Sequence, residues 1–346
     1  MTEAQAVATL LAMTDPLELH RSLLTLDSHI DIPWPTGPAF TAETQRRVDL
    51  PKLRRGHVAA AFFAAYVPQT RRTAETHEAA FGRAVAMLEA IREMGAAAGA
   101  RLCHSTAEIT QAWRDGVTAI VPAVENGHAC AGEPARIRRF AELGARYMTL
   151  THTGHNALAD SSNPRADLGD GESEHGGLSA LGRAAIAEMN RLGLVVDISH
   201  VSKAAMLQAA ALSRTPVVAT HSCIRAVCDN LRNLDDDQLD ALRDVGGVVQ
   251  ITAVPHFLRA GGKFDSVGPG DFADHLDYAV RRIGLSHVGI SSDFDGGGGF
   301  AGWRDAGESP GLTAELVRRG YGRDELAALW GGNFLRVLRL AEERAE

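Results

Sequence analysis

Short apolar runs, each about as long as a β-strand, alternate along the chain with segments of helical periodicity. Several runs are rich in β-branched residues, as in VVDIS and GVVQIT, which favours strands. Between most of them, apolar residues recur at spacings of three and four, which predicts helices, and several end at an expected glycine stop: Gly144, Gly193, Gly246 and Gly284. The predicted strands are residues 23–32, 58–67, 118–125, 147–153, 194–200, 216–221, 247–254 and 287–293. The predicted helices are residues 79–95, 134–144, 178–193, 202–212, 235–246 and 271–284.

Eight strands that alternate with helices predict a parallel sheet, and eight is the number that closes a (β/α)8 TIM barrel. An open doubly wound sheet is the alternative. It usually carries a glycine-rich loop after its first strand, whereas this chain reads DSHIDIPWP there. No linker divides the chain, so we expect one barrel domain over residues 1–346, with active-site loops around 154–177 and 294–310. We expect the second loop, after Asp295, to form a mobile flap.

Charge and composition narrow the choice of partners and compartment. The chain has 35 Lys and Arg against 43 Asp and Glu, a net charge of −8, and no basic block, which argues against binding nucleic acid or an anionic membrane. Four cysteines without a CxxC pair indicate neither a disulfide framework nor a zinc ribbon. The N-terminal MTEAQAVATLLAMTDP has no positive region and AEERAE is no lipid-anchor tail, so we expect a cytoplasmic protein without a membrane anchor.

Polar residues with metal-binding chemistry stand where the apolar runs end. His29 and Asp31 lie two apart at the end of the first run, so on a strand both would point the same way. Three other runs end in a histidine or a glutamate, a fourth has a histidine next to its end, and the last ends in an aspartate. A closed parallel barrel would bring all of them to one mouth. These further residues are Glu125, His152, His200, His221 and Asp293.

Neutral imidazole and carboxylate groups are suitable ligands for Zn²⁺ and similar divalent cations. There are more of them than one tetrahedral site requires, and two ions about 3.5–4 Å apart with a bridging carboxylate would use them all. We assign His29, Asp31 and Glu125 to one ion, and Glu125, His200 and His221 to the other. Two such ions would lower the pKa of a bridging water and supply hydroxide at neutral pH. His128 and His155 are candidates for supporting the ligands from behind.

The motifs around these residues resemble the renal and membrane dipeptidases and their bacterial relatives, a family of binuclear zinc peptidases on an amidohydrolase-type barrel. The resemblance runs from residue 27 to residue 338. It rests on DSHIDIP, VENGHA, LTHTGHNALADS, EMNRLGLVVDISHVS, ATHS, RNLDDDQL, GISSDFDG and WGGNFLRVL. The common amidohydrolase pattern has H-x-H on the first strand and often a carboxylated lysine bridge, whereas H-x-D and Glu125 replace them here.

The resemblance implies a role for each residue. The five assigned ligands would bind two Zn²⁺, and His152 would bind the peptide carbonyl oxygen and stabilise the oxyanion. Arg232 would hold the substrate's C-terminal carboxylate, a task that suits a guanidinium. Asp293 would take the proton of the attacking water and pass it to the leaving amine, with Asp295 as a second candidate.

The family resemblance also implies the substrates and the assembly. Relatives accept a D-residue at the C-terminal position, so L-Xaa-L-Xaa and L-Xaa-D-Xaa dipeptides are the expected substrates. QITAVPHFL departs from the mammalian form in a segment that shapes the side-chain pocket, which leaves the substrate preference open. Dimers are common among relatives, so a homodimer is a further expectation.

Two other functions remain open on the sequence alone. One is a metal hydrolase of the same barrel type that acts on N-acyl amino acids, lactones or phosphoesters, which activity surviving the loss of Arg232 would favour. The other is a non-catalytic metal-binding or scaffold protein, which would be expected to lack some of the ligands or the proton-transfer residue.

Overall fold

A ring of parallel strands forms the centre of the protein, for which a computed structural model describes residues 15–346. Every one of the eight predicted runs contains a strand, and the described residues form one additional strand. The bounds are β1 Leu26–Asp31, β2 Ala60–Tyr66, β3 Ala100–Leu102, β4 Thr118–Glu125, β5 Tyr147–Thr149, β6 Val195–Asp197, β7 Val218–Ser222, β8 Val248–Ile251 and β9 Val288–Ile290.

The ring follows the order β1-β2-β4-β5-β6-β7-β8-β9, with every neighbouring pair parallel. It closes where β1 meets the residues that follow β9. The Asp31 amide donates to the Phe294 carbonyl at 3.0 Å, and the Asp293 amide donates to the His29 carbonyl at 3.2 Å. The predicted (β/α)8 TIM barrel is therefore confirmed.

β3 is the strand that the sequence pattern missed. Its three residues pair with the start of β4, from Ala100 opposite Thr118 to Leu102 opposite Ile120, while β5 pairs with the end of β4 at Val124. The strand lies outside the closed ring. It has only three residues, and the middle one is Arg101, so the sequence shows no alternation of apolar and polar residues there.

Helices follow most strands and cover the outside of the ring. All six predicted helical segments contain a helix, and the four predicted glycine stops all have positive φ. The α-helices are α1 Pro16–Arg21, α2 Leu50–Arg55, α3 Ala74–Gly95, α4 Thr106–Arg114, α5 Ile137–Glu142, α6 Ala180–Arg191, α7 Lys203–Leu212, α8 Asp236–Asp244, α9 Pro255–Leu258, α10 Pro269–Ile283, α11 Ser309–Arg318, α12 Arg323–Ala327 and α13 Asn333–Glu343. A π-helical turn, Ala328–Gly332, joins the last two.

An apolar cluster fills the end of the barrel where the strands begin. Leu26, Phe62 and Tyr147 contribute to it from the strands, and α13 adds Phe334, whose ring lies 5.0 Å from that of Phe62. Because the strands are parallel and this end is packed with hydrocarbon, polar side chains at the opposite ends of the strands face the open mouth.

A buried carboxylate holds the end of the loop after β5. Asp160 is buried, and its side chain accepts hydrogen bonds from the Ser173 hydroxyl at 2.6 Å and from the amides of Glu174, His175 and Gly177 at 2.9–3.0 Å. Burial opposes the ionisation of Asp160, but these donors together lower its pKa. A negative charge therefore keeps residues 173–177 next to the barrel.

The segment after β9 packs against the barrel through three buried side chains, Phe300, Trp303 and Ala306. Its motion as a flap stays a prediction. No helix within residues 15–346 is long and apolar enough to cross a membrane. The expectation about a signal peptide concerns mainly residues 1–14, which lie outside the described residues.

Candidate active site

The polar residues predicted at the strand ends do meet at one place in the structure. Most of them line a single cleft of about 320 Å³, and His29 lies buried just below it. The cleft-lining members of the predicted set are Asp31, Glu125, His152, His200, His221, Arg232 and Asp293. The geometric expectation behind the predicted site is therefore met.

Glu125 is the centre of the cluster. Its Oε1 lies 3.2 Å from His200 Nε2, and its Oε2 lies 3.5 Å from His29 Nε2. The Nε2 atoms of His221 and His152 lie 3.5 and 3.6 Å from Oε1. One buried carboxylate thus faces four imidazole nitrogens, two of which come from strands and two from the residues just after strands.

Two of the site residues have a backbone conformation that sequence reasoning could not show. His200 has φ +68° and Asp293 has φ +56°, although neither is glycine. Non-glycine residues with positive φ are uncommon, and strained positions of this kind cluster at functional sites. The conformation turns both side chains into the mouth directly after a strand ends.

Buried polar atoms without hydrogen-bond partners indicate whether these residues could bind a metal cation. His29 Nε2 and Asp31 Oδ1 are buried and have no hydrogen-bond partner among residues 15–346, and they lie 3.8 Å apart. The Nε2 atoms of His200 and His221 lie only 2.7 Å apart. Imidazole nitrogens and carboxylate oxygens that converge in this way are the ligands that divalent cations prefer, so the residues fit metal binding.

The ligand atoms form two groups that share Glu125. His29 and His221 join it in one group, and His152 and His200 join it in the other, with all atoms of a group within 4.8 Å of one another. The shared carboxylate agrees with the predicted bridge. The division of the histidines differs from the predicted one, which paired His200 with His221 and left His152 to the substrate.

The charge balance also favours cations. Burial raises the pKa of Asp293 to about 7, with Glu125 adding to the rise and His29 and Arg232 opposing it. Burial likewise raises the pKa of Asp31 well above its usual range, and the Glu125 charge adds to that rise. Burial also opposes ionisation of Glu125, but His29 and His152 hold its pKa well below its usual value. The raised pKa values of Asp31 and Asp293 show that three neighbouring carboxylates are unfavourable in their ionised form, and bound cations would remove that cost.

Arg232 is a buried cation with few partners. It is 4% exposed, its Nη2 donates to the His221 carbonyl at 3.2 Å, and its guanidinium lies over the Phe257 ring at 5.3 Å. Its Nε has no hydrogen-bond partner in the described part of the chain. Burial lowers its pKa to about 10. A guanidinium with free donors in the cleft is suited to gripping an anion.

Other candidates take supporting places. Asp295 accepts from the amides of Arg47 and Val48 at 3.0 and 3.2 Å and does not line the cleft. His155 Nδ1 accepts from the Ser161 amide at 3.0 Å, and the Ser161 hydroxyl donates to the His152 carbonyl at 2.5 Å, with the His200 carbonyl 3.2 Å away. His155 thus reaches the site only through Ser161, and its supporting role stays a prediction.

His128 has a different environment from His155. Its Nε2 lies 3.0 Å from the Thr70 hydroxyl. This contact does not lead to a proposed ligand, so it lends no support to the predicted role of His128.

Sequence reasoning missed two hydroxyl groups behind the ligands. His29 Nδ1 lies 2.8 Å from the Tyr147 hydroxyl, which donates to the Ser28 carbonyl at 3.0 Å. His221 Nδ1 lies 2.9 Å from the Thr220 hydroxyl. Tyr147 belongs to an ordinary apolar run and Thr220 to ATHS, so neither carries a signal that separates it from core residues.

The closed barrel with imidazoles and carboxylates at its mouth defines the class of the metal-dependent barrel hydrolases. Within that class, the chain belongs to the membrane dipeptidase family, peptidase family M19, whose family model matches residues 13–346. It is thus a hydrolase of a metallopeptidase family, and the resemblance found in the sequence is confirmed.

Curated relatives support this membership. Dipeptidase verJ of Clonostachys rogersoniana is 33% identical over 349 residues, which cover 96% of this chain and 87% of that protein. Dipeptidase aclJ of Aspergillus oryzae is 42% identical over 216 residues, which cover 62% of this chain and half of that protein.

Solved structures show the same fold. The probable dipeptidase PvdM from Pseudomonas aeruginosa superposes with a TM-score of 0.89 at 29% identity, covering 99% of this chain and all of that one. A metallopeptidase from Rhodobacter sphaeroides, liganded with a phosphinate mimic of the dipeptide L-Ala-D-Ala, has a TM-score of 0.79 at 27% identity. That match covers 92% of this chain and 99% of the neighbour.

Proposed function

We propose that this protein is a zinc-dependent dipeptidase that holds two Zn²⁺ with His29, Asp31, Glu125, His200 and His221. The observation that carries the proposal is the buried Glu125 carboxylate, which faces four imidazole nitrogens at 3.2–3.6 Å below an open cleft. Two divalent cations, when bound, polarise a carbonyl oxygen and make hydroxide available from water at neutral pH.

The remaining residues of the cleft bind the substrate and move the proton. Arg232 holds the C-terminal carboxylate through its free guanidinium donors. His152 Nε2 donates to the carbonyl oxygen as negative charge develops on it. Asp293 takes the proton from the attacking water and returns it to the nitrogen of the leaving amine. Burial raises its pKa to about 7, and two bound cations would lower that pKa again, so the carboxyl would be ionised at neutral pH, as a base must be.

The substrates we propose are short peptides with a free carboxylate, including those with a D-residue at the C-terminal position. The phosphinate mimic of L-Ala-D-Ala in the Rhodobacter sphaeroides neighbour supports this choice. The buried cation Arg232 favours an anionic substrate over a neutral lactone, since a neutral group would leave its donors unpaired. The whole chain acts as one catalytic barrel, and Asn163, Gly296 and Gly297 bring its two long loops to the cleft.

A panel of dipeptides with defined L- or D-residues at the C-terminal position tests the proposal. We expect the zinc-loaded protein to release free amino acids, a chelator to abolish the release, and Zn²⁺ to restore it. Metal analysis should give two ions per chain. An absence of hydrolysis across the whole panel by the loaded protein would refute the proposed function.

Two variants separate the proposed roles within the site. Glu125→Ala should lose most of the bound metal, because both ligand groups share that carboxylate. Asp293→Ala should keep the metal and lower kcat, because the proposed role of Asp293 is proton transfer. Loss of both ions in Asp293→Ala would contradict this division of roles.

A further inference from the structure

A fully buried carboxylate lies behind the proposed ligands without touching the cleft. Asp197, the last residue of β6, accepts four hydrogen bonds. Its Oδ1 accepts from the amides of Ser199 and Thr220 at 2.9 and 3.0 Å. Its Oδ2 accepts from the hydroxyls of Thr149 and Thr220 at 2.5 and 2.7 Å. Four donors around one group match a carboxylate, which can only accept.

The Asp197 carboxylate decides which way the Thr220 hydroxyl points. A hydroxyl has one hydrogen, and Thr220 gives its hydrogen to Asp197. Towards His221 Nδ1, 2.9 Å away, the Thr220 oxygen can then only accept. His221 therefore carries its proton on Nδ1, and its Nε2 is left with a free lone pair.

An irregularity in β7 makes this contact possible. Neighbouring side chains on a regular strand point to opposite faces, so residues 220 and 221 would not meet. The pairing of β7 with β8 shifts register between Ala219 and Ser222, which is the signature of a bulge. The His221 amide also donates to the Ser199 hydroxyl at 3.1 Å, so both the backbone and the ring of His221 are tied to the same buried network.

We propose that Thr220, oriented by Asp197, is a positioning residue that fixes His221 as the Nδ1-protonated tautomer and aims its Nε2 at the cation. The inference rests on the proposed function only for the statement that His221 is a ligand. A hydrogen bond to the outer nitrogen of a ligating histidine sets both its tautomer and its ring orientation. Here a neutral hydroxyl in contact with a buried carboxylate provides that bond.

Thr149 offers a matched control. Its hydroxyl donates to the same Asp197 Oδ2, it is equally buried, and it makes no hydrogen bond to His221. Thr149→Val and Thr220→Val therefore remove the same kind of hydrogen bond from the same carboxylate. The two variants differ in whether His221 loses its acceptor.

The first experiment measures Zn²⁺ affinity of the full-length protein by competition with a chelator. We expect Thr220→Val to weaken binding about 10- to 100-fold, the range for lost outer partners of a ligand, and Thr220→Ser to restore it. Thr149→Val should lower the melting temperature about as much as Thr220→Val does while binding zinc as wild type. Equal losses of affinity in the two valine variants, or no loss in Thr220→Val, would overturn the proposal.

The second experiment needs no metal, and its decisive measurement is made on wild type. Nitrogen-15 spectra of the histidine-labelled, metal-free protein should show His221 protonated on Nδ1, and this signal should be lost or mixed in Thr220→Val. Protonation of His221 on Nε2 in wild type would overturn the proposal even if the valine variant fails to fold. If wild type binds no Zn²⁺, the proposed function fails, and these spectra still decide the tautomer.

Discussion

Arg232 gives the sharpest test of how this protein recognises its substrate. Replacement of Arg232 by Met keeps much of the side-chain length and removes the charge. The structure gives the guanidinium one hydrogen bond, to the His221 carbonyl, and an Nε without a partner among the described residues. The donors that are left free are therefore the ones available for a carboxylate.

The size of the effect follows from those free donors. A hydrogen bond to a charged group contributes about 1.5–3 kcal/mol. Two parallel bonds to a carboxylate would contribute about 3–6 kcal/mol, which is about a 10²- to 10⁴-fold loss of kcat/KM in Arg232→Met. The variant should keep the stability of wild type, because a buried cation with one hydrogen bond gains little from its surroundings to offset its desolvation.

The assay compares a dipeptide with its C-terminal amide in wild type and in Arg232→Met. The variant should lose activity on the free acid and little on the amide, which offers no carboxylate. Arg146→Met is the control, because Arg146 is a half-buried arginine that donates to the carbonyls of His104 and Ala145 away from the cleft. The same loss on the acid and on the amide would refute the assignment of Arg232 to the carboxylate.

Three further predictions concern other parts of the molecule. Tyr147→Phe should weaken zinc binding about tenfold, because His29 Nδ1 loses its hydrogen-bond acceptor. Tyr278→Phe is the control, since it removes a hydroxyl that donates to Asp236 and should leave zinc binding unchanged. Equal zinc affinities of the two variants in chelator competition would contradict this prediction. Gly296→Ala should lower kcat/KM at least about tenfold, because its Cβ would lie 2.4 Å from Asp293 Oδ1, whereas Gly171→Ala meets no atom closer than 3.9 Å and should behave as wild type in the same assay. Burial lowers the pKa of His20 to about 4, with the Gly56 carbonyl opposing the shift, so its neutral ring favours folding above pH 6.5. The free energy of unfolding should therefore fall by about 3 kcal/mol on account of His20 as the pH falls from 6.5 to 4. In His20→Gln, denaturant unfolding should show a decrease over the same pH range that is smaller by about this amount.

The barrel and the set of residues at its mouth could be predicted from the sequence, because both predictions follow from one rule. The carboxyl ends of parallel strands meet at one mouth, so residues as distant as His29 and Asp293 could be placed together before any geometry was known. The same rule gave Glu125 as the shared carboxylate.

The parts that escaped prediction depend on geometry rather than on pattern. The bulge that brings Thr220 against His221 has no composition of its own, and ATHS reads as an ordinary buried strand. The positive φ of His200 and the division of the four histidines between two groups depend on how the strands end in space. β3 was missed because three residues are too few for any periodicity.

The hydrogen bonds that tie residues 173–177 to Asp160 matter for evolution and for enzyme engineering. Within this loop, the Asp170 side chain accepts from the amides of His155 and Arg165 at 2.8 Å, so the length and sequence of residues 166–169 can drift without moving the ends. Randomised libraries confined to these residues should diversify which peptides are accepted while the hydrolytic machinery below is inherited intact.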